Sequence, residues 1–158
     1  MGGKVQLKHM KCSFDGRLAY IYLWYSKKWR IVYVGQTNGI NGTIGRAINH
    51  IQPDGTLRKC FKEETGLPLE YASDLYLLSF PLPKDRVFTS AESSYRLAVE
   101  YRVQTKLLKI RGEISPCFKI ISNVTYTDIA SNQDIIKLAD DIVEQFVNIY
   151  LNSYIDYE

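Results

Sequence analysis

The chain has 158 residues, of which 46% are hydrophobic and 23% are charged, and its formal net charge is +3. This size and composition predict one globular domain spanning residues 1–158. No apolar run reaches the roughly 18–20 residues of a membrane span, and the three scattered cysteines (Cys12, Cys60 and Cys117) do not make a disulfide framework. We therefore expect a cytoplasmic protein with reduced thiols and no membrane partner.

The first predicted elements are two paired β-strands. Residues 18–25 (LAYIYLWY) and 29–35 (WRIVYVG) are rich in β-branched and aromatic side chains, which favour strands. The polar residues 26–28 between them indicate a turn. The two strands are therefore predicted to form a hairpin.

Two helices are predicted to follow the hairpin. Residues 37–42 are rich in glycine and asparagine and indicate a loop, after which Thr43 is predicted to cap a helix that ends near residue 51. The apolar face of that helix is predicted to consist of Ile44, Ile48 and Ile51. Pro53 ends the helix, and a second helix is predicted over residues 54–64.

The second half of the chain predicts one further strand and two longer helices. Residues 71–80 indicate a third strand, and Ser90 is predicted to cap a helix over residues 91–111. Residues 118–124 indicate either a short strand or an extended segment. An apolar stripe of period 3.6 predicts a C-terminal helix over residues 133–154. The predicted fold is α+β, with a small mixed or antiparallel three-stranded sheet that is flanked by helices.

Five side chains with suitable chemistry are predicted to lie near one another. Tyr22 and Tyr33 are eleven residues apart on the paired strands, and a tight hairpin can bring them to one face. Arg46 and His50 are one helical turn apart and project together near the strand ends. Glu100 lies beside an apolar helical stripe, where an unpaired carboxylate is unfavourable and a metal ion would satisfy it.

The pattern resembles the signature of the GIY-YIG endonuclease family. The GIY position reads YIY at residues 20–22, and the YIG position reads YVG at residues 33–35. Tyr20 replaces the glycine of GIY, and the loop before the family's arginine is a few residues longer than usual. The resemblance covers roughly residues 18–123.

The remaining motif residues follow in the family's order. Arg46 and His50 match its arginine–histidine pair, and residues 97–102 (LAVEYR) resemble its glutamate helix, which places Glu100 at the glutamate position. Asn123 is similar to its terminal asparagine. The resemblance implies a DNA endonuclease that depends on Mg²⁺ or Mn²⁺ and leaves a 5′-phosphate and a 3′-hydroxyl.

The resemblance also implies a role for each residue. Glu100 would hold the metal ion, and Arg46 would stabilise the pentacovalent phosphate through its fork of donors. Tyr22 would take a proton from water, which requires nearby positive charge because a free phenol has a pKa of about 10. Tyr33 would orient the phosphate or assist the base, and His50 would bind phosphate or accept a proton.

Several alternatives stay open at this point. Glu92 is the competing metal ligand, although it lies in the first turn of a predicted helix, where the helix dipole favours acids. A non-catalytic nucleic-acid-binding module with the same fold is the alternative function, and a protein-interaction domain is a third. Target selection is expected to come from surfaces of the domain itself or from a homodimer. The candidate DNA contacts are Lys27, Lys28, Arg30, Arg58, Lys59 and Asn123.

Overall fold

The computed structural model describes residues 15–153. Within this range it contains four β-strands, five α-helices and three short 3₁₀ turns. The protein is therefore of the predicted α+β class. Cys12 and the predicted end of the last helix at residue 154 lie outside the described residues.

The predicted hairpin is present and forms the centre of the sheet. Strand β1 (Tyr20–Ser26) pairs with β2 (Ile31–Thr37) in an antiparallel register that sets Tyr22 opposite Gly35. Strand β3 (Tyr76–Pro81) pairs antiparallel with the other edge of β1. Alternating large side chains on both faces explain why the sequence already indicated the two central strands.

The sheet has four strands in the order β3-β1-β2-β4, so the prediction of three strands was wrong. Strand β4 (Lys119–Ile120) runs parallel to β2 and contains only two residues. It is held by hydrogen bonds from the Lys119 amide to the Arg30 carbonyl (2.8 Å) and from the Ile121 amide to the Val32 carbonyl (2.9 Å). Two residues are too few to display the alternation that marks a strand in sequence.

Strand β3 begins five residues later than predicted. The segment before it forms a 3₁₀ turn (Leu69–Tyr71), and Asp74 then turns towards the hairpin. The Asp74 carboxylate accepts hydrogen bonds from the Ser26 hydroxyl (2.5 Å) and the Lys28 amide (3.0 Å). These contacts with residues distant in sequence keep the start of the predicted strand out of the sheet.

The helices are α1 (Gly42–Ile51), α2 (Thr56–Thr65), α3 (Arg86–Thr89), α4 (Ser94–Ile110) and α5 (Gln133–Asn152). The predicted helix over residues 91–111 is shorter at its start, because Ser90 ends α3 and Ser93 is the N-cap of α4. No helix in the described part of the chain is both long and apolar enough to cross a membrane.

The predicted burial of α1 was wrong. Ile48 and Ile51 are 53% and 45% exposed, whereas Thr43 and His50 are buried against the sheet. The Thr43 hydroxyl lies 2.6 Å from the Ser79 hydroxyl of β3. The helix therefore turns its polar face inward, which is the arrangement expected where a helix borders a polar site rather than an apolar core.

The sheet separates two apolar clusters. Helices α4 and α5 cover the face that carries Ile21, Leu23, Tyr25, Val32 and Val34. Helix α2 covers the other face, on which Tyr22 and Tyr33 lie with Leu57 and Phe61. The two tyrosines therefore share one face, as predicted.

Candidate functional site

Tyr22 is fixed by its contact with the glycine opposite it. A Cβ atom added at Gly35 would lie 2.3 Å from both the hydroxyl oxygen and the Cζ atom of Tyr22. Only glycine therefore lets the phenol ring cross the strand at this point. The contact gives Gly35, which the sequence showed only as part of a motif, a definite role in orienting Tyr22.

His50 contacts both tyrosines. Its Nε2 atom is 2.6 Å from the Tyr22 hydroxyl oxygen, and its ring centroid is 5.4 Å from that of Tyr22 and 5.2 Å from that of Tyr33. Both ring pairs are edge-to-face. All three side chains are buried. Helix α1 thus carries His50 into contact with the face of the hairpin.

The imidazole of His50 is neutral near neutral pH. Burial, supported by the charge of Arg46, lowers the pKa of His50 to about 4. A neutral imidazole has one N–H group, and when the proton is on Nδ1, the Nε2 atom accepts a hydrogen bond. The Tyr22 hydroxyl can then donate to His50, which gives the phenol a direct acceptor for its proton.

Burial changes the acidity of both phenols. It raises the pKa of Tyr22 to about 12, although the nearby Arg46 guanidinium acts in the opposite direction. Burial also raises the pKa of Tyr33. The expectation that positive charge would lower the pKa of Tyr22 was wrong, because desolvation outweighs the opposing effect of Arg46. Tyr22 is therefore a neutral phenol at neutral pH.

Arg46 is exposed and lines an open cleft with a volume of about 250 Å³. The cleft lies where α1 meets α2, and its other lining residues include Asn49, Asp54 and Thr56. Arg46 acts electrostatically on Tyr22, His50 and Glu100. A guanidinium that borders an open cleft and influences three buried groups is well placed to receive an anionic ligand.

Glu100 is the middle member of a buried polar stripe on α4. Arg96, Glu100 and Gln104 follow one another at intervals of four residues and therefore lie on one face of the helix. Their exposed fractions are only 3%, 7% and 8%. Three polar side chains in this arrangement need partners, since burial without hydrogen bonds is unfavourable.

Arg96 is bound to the end of strand β2. Its Nε donates to the Gln36 side-chain oxygen (2.9 Å), and its Nη1 donates to the carbonyl oxygens of Phe88 (2.7 Å) and Ser90 (2.6 Å). These bonds hold the start of α4 against β2 and the segment after α3. Arg96 is thus fully engaged away from Glu100.

Gln104 is bound to the segment after β4. Its amide nitrogen donates to the Ser122 carbonyl (3.0 Å), and its oxygen accepts from the Ser122 hydroxyl (3.0 Å), which in turn accepts from the Val34 amide (2.9 Å). Helix α4 is therefore attached to β2 on both sides of Gly35, through Gln36 and through Val34. Glu100 lies on the helix between these two attachments.

Glu100 has no hydrogen bond or ion pair with any residue that the structure describes. Burial raises its pKa to about 8, with Arg46 opposing the shift. The charge of Glu100 in turn raises the pKa of both Tyr22 and Tyr33. These mutual effects place the carboxyl group, the guanidinium and the two phenols in one electrostatic environment, although α4 packs mainly on the opposite face of the sheet.

Two charged residues near Glu100 in the sequence have partners of their own. Lys106 forms its ion pair with Asp140 (2.6 Å). Glu92 is exposed, and its carboxylate accepts hydrogen bonds from the amide and hydroxyl of Ser94 at the start of α4, which lower its pKa. Glu92 therefore caps a helix, and Glu100 is the better candidate for a metal ligand.

The donor set limits the kind of metal ion that would fit. Among residues 15–153 no three His, Cys, Asp or Glu side chains are grouped as a metal site. Mg²⁺ retains several water ligands and requires as few as one or two carboxylates. A buried carboxyl group without a protein partner suits such an ion, whereas a zinc site would require more nitrogen or sulfur ligands.

Two of the predicted DNA contacts have structural roles. Lys27 is only 6% exposed, and burial lowers its pKa. Its Nζ donates to the Ser153 carbonyl (2.6 Å) and lies 5.0 Å from the centre of the Tyr150 ring. Arg58 donates to the Ile51 carbonyl (2.8 Å) and the Glu70 carboxylate (2.6 Å). These side chains join elements of the fold and are not directed at a ligand.

The other four predicted DNA contacts lie at the surface. Lys28 and Arg30 are exposed in the hairpin turn, and Lys59 is exposed on α2. Asn123 is exposed directly after Ser122, near the attachment of α4 to β2. These residues are accessible to a nucleic-acid backbone.

The sequence did not reveal the residues that position Glu100. Arg96, Gln104, Gln36 and Ser122 form this support, and none was predicted. The available signal was the occurrence of polar side chains at intervals of four on a helix whose other buried residues are mostly apolar. Their partners on β2 and after β4 were visible only in the fold.

No family model, curated protein or solved structure matches this chain. The likeness to the GIY-YIG endonucleases therefore depends on the motif residues and on the geometry described above.

Proposed function

We propose that this protein is a Mg²⁺- or Mn²⁺-dependent DNA endonuclease of the GIY-YIG type that hydrolyses phosphodiester bonds in the cytoplasm. The main supporting observation is the mostly buried side chain of Glu100, which interacts electrostatically with Arg46 and with Tyr22, the tyrosine that is hydrogen-bonded to His50. An acid, a cation and a proton path are the groups that this hydrolysis requires.

Arg46 would bind the scissile phosphate. Its position beside the open cleft leaves room for a phosphate group, and the guanidinium can bind two oxygens at once. Its charge would stabilise the additional negative charge of the pentacovalent phosphate. Arg46 would therefore contribute more to the transition state than to the bound substrate.

Tyr22 and His50 would together remove the proton from the attacking water. The water oxygen forms a bond to phosphorus and gives a proton to the Tyr22 hydroxyl, while Tyr22 passes its own proton to Nε2 of His50 across the 2.6 Å hydrogen bond. The bond to the 3′ oxygen breaks, and this oxygen takes a proton from solvent. Tyr22 need not exist as a phenolate, which accommodates a pKa of about 12.

Glu100 would hold the metal ion, and Tyr33 would keep the imidazole in place. When bound, Mg²⁺ or Mn²⁺ would supply positive charge to the phosphate and the leaving oxygen. The ring of Tyr33 packs edge-to-face on His50, and it would fix the orientation that the proton transfer needs. The exposed Lys28, Arg30, Lys59 and Asn123 would contact the DNA backbone.

The test is nicking of supercoiled plasmid DNA in the presence of Mg²⁺, Mn²⁺ or EDTA. We expect metal-dependent cleavage that Arg46→Ala and Glu100→Gln abolish while far-UV circular dichroism stays unchanged. The matched control is Glu92→Gln, which replaces the neighbouring carboxylate and should leave cleavage intact.

Three other outcomes would contradict this proposal in whole or in part. Loss of cleavage in Glu92→Gln together with retention in Glu100→Gln would assign the metal to Glu92. No metal-dependent cleavage of duplex, branched or single-stranded DNA, combined with salt-sensitive DNA binding, would identify a non-catalytic binding module instead. No salt-sensitive binding at all would contradict any role with nucleic acids.

A further inference from the structure

A second cleft lies at the hairpin-turn end of the sheet, between the ends of α2 and α4. Its volume is about 810 Å³. Its basic lining residues are Arg30, Lys109, Arg111 and Lys119, and its acidic lining residue is Glu64. Glu64 is paired with Lys119 at 2.6 Å. In the described part of the chain, Arg30, Lys109 and Arg111 form no ion pair, so the cleft has an excess of positive charge.

The helix dipole explains only part of this charge. Lys109 and Arg111 lie at the C-terminal end of α4, where cations are favourable for the helix alone. Arg30 belongs to the hairpin turn and Lys119 to β4, so their presence has no such cause. Cations from three separate elements that converge on one cleft indicate an anionic ligand.

The backbone of Arg30 supports the same conclusion. Its φ angle is 54°, in the left-handed region that favours glycine and asparagine over long side chains. Its carbonyl accepts the amide of Lys119 (2.8 Å), so the turn cannot relax without breaking the contact with β4. The fold thus holds a guanidinium at a position where glycine would be less strained, which points to a use for its charge.

The cleft also has an apolar wall. Trp29 lines this wall of the cleft. The orientation of its side chain is fixed, because its Nε1 donates to the Tyr71 carbonyl (3.0 Å) and its ring packs edge-to-face on Phe61, with 5.5 Å between the ring centroids. Leu108 lines the cleft as well and is 43% exposed. Free phosphate would not use this wall, whereas the bases of a single strand stack on such surfaces while their phosphates contact the cations.

We propose that this cleft binds single-stranded DNA and that it holds the substrate strand beside the candidate active site. The proposal rests on the proposed nuclease function and adds the substrate class, which is DNA with an unpaired segment. Duplex DNA alone would keep its bases away from Trp29.

The two sites are close enough for one strand to reach both. Lys109 follows Glu100 by nine residues on α4, which corresponds to about 13 Å along the helix axis. Arg30 precedes Tyr33 by three residues, or about 10 Å along a strand. With a rise of about 3.4 Å per nucleotide along the axis of a stacked strand, the unpaired segment would lie roughly three to four nucleotides from the scissile phosphate.

The experiment measures fluorescence anisotropy of a labelled oligothymidylate with the full chain in EDTA, over a series of salt concentrations. The variant is Lys109→Ala combined with Arg111→Ala, and the matched control is Lys137→Ala, an exposed lysine on α5. We expect the double variant to bind the oligothymidylate at least about tenfold more weakly. The slope of log affinity against log salt concentration should decrease in magnitude by about 1.4, because each of the two lost phosphate contacts contributes about 0.7. The control should match the wild type.

A second variant separates binding from folding. Arg30→Gly removes a cation and relieves the φ of 54°, so we expect weaker DNA binding with equal or higher thermal stability. Wild-type affinity in both Arg30→Gly and the double variant would overturn the proposal. An equal loss in Lys137→Ala would overturn it as well, because net charge would then explain the binding.

A duplex of the same length completes the test. We expect weaker binding of the duplex than of the oligothymidylate, and equal affinity with equal sensitivity to the variants would overturn the single-strand assignment. Since binding is measured without metal, it does not depend on cleavage. Variant-sensitive binding without any metal-dependent cleavage would contradict the nuclease proposal alone, and cleavage without variant-sensitive binding would contradict only the cleft.

Discussion

Replacing Glu100 with glutamine should stabilise the metal-free protein at alkaline pH. Glutamine keeps the size of the side chain but carries no charge, so the variant avoids placing an unpaired carboxylate in a buried position. The substitution therefore isolates the effect of the ionised group. A residue that served only the fold would be expected to lose stability on substitution.

The size of the effect follows from the pKa of Glu100. Its value rises from 4.5 to about 8 in the folded protein, so the folded state holds the proton more tightly than the unfolded state. As pH increases from 4.5 towards 8, the unfolded chain loses its proton first, and the free energy of unfolding decreases. At about 1.36 kcal/mol for each pKa unit, the loss is complete above pH 8 and amounts to roughly 5 kcal/mol.

The assay is urea-induced unfolding of the wild type and of Glu100→Gln in EDTA, from about pH 5 to about pH 9. The difference in unfolding free energy should be small near the acidic end and should approach roughly 5 kcal/mol in favour of the variant at the alkaline end. Adding Mg²⁺ at alkaline pH should stabilise the wild type and not the variant, because binding to the folded state alone raises its stability. The contribution of His50 is present in both proteins and cancels in the difference.

Two results would refute this reasoning. Parallel stability curves of the two proteins in EDTA would mean that the Glu100 carboxylate is hydrated or paired in solution. Equal stabilisation of both proteins by Mg²⁺ would place the ion elsewhere. Glu92→Gln serves as the control, because Glu92 is exposed and its lowered pKa predicts no change within this pH range.

Three further substitutions test the rest of the site. In Gly35→Ala the added Cβ would lie 2.3 Å from the Tyr22 ring, so we expect a destabilisation of about 1–3 kcal/mol in urea unfolding and loss of cleavage. Tyr22→Phe should retain DNA binding in gel-shift assays and lose nicking, and wild-type rates would remove Tyr22 from the proton path. For His50, whose pKa falls from 6.5 to about 4, the folded protein should lose roughly 3 kcal/mol as pH drops between these values. His50→Gln should abolish that dependence, and an unchanged acid profile would contradict the buried neutral imidazole.

The elements with strong local signals could be predicted from the sequence. The hairpin has alternating side chains on both strands, and α2 ends at Thr65 because Gly66 adopts a left-handed φ of 74° and donates its amide to the Lys62 carbonyl (2.8 Å). The prediction of helix 54–64 is therefore confirmed to within two residues.

Features that depend on distant contacts could not be predicted in full. The sequence left a short strand and an extended segment open for residues 118–124, and two backbone amides that reach β2 make part of it strand β4. Strand β3 starts late because Asp74 binds the hairpin turn. Of the apolar face predicted for α1, Ile48 and Ile51 are exposed and Ile44 is half-buried, because the sheet offers Ser79 and the tyrosine pair at that position rather than an apolar surface. In each case the deciding partner is tens of residues away along the chain.

In the candidate site, too, the features that depend on local spacing could be predicted and those that depend on distant contacts could not. Motif spacing selected Tyr22, Arg46 and Glu100, which influence one another electrostatically, but it predicted the wrong direction for the pKa of Tyr22. Its pKa depends on the depth of burial on the sheet, which no local pattern encodes. The Tyr22–His50 hydrogen bond supplies the proton acceptor that a high pKa makes necessary.

The polar stripe on α4 shows why the position of Glu100 is so well defined. Arg96 and Gln104 attach the helix to β2 one turn before and one turn after Glu100, so the backbone of this residue is held in a defined position. A helix that only needed anchoring would gain more from an apolar residue at the middle position, since an unpaired buried carboxylate lowers stability. The fold thus holds in place a carboxyl group whose ionisation is unfavourable, and a bound metal ion would offset that penalty. Stabilisation by Mg²⁺ that disappears in Glu100→Gln would identify that ligand directly.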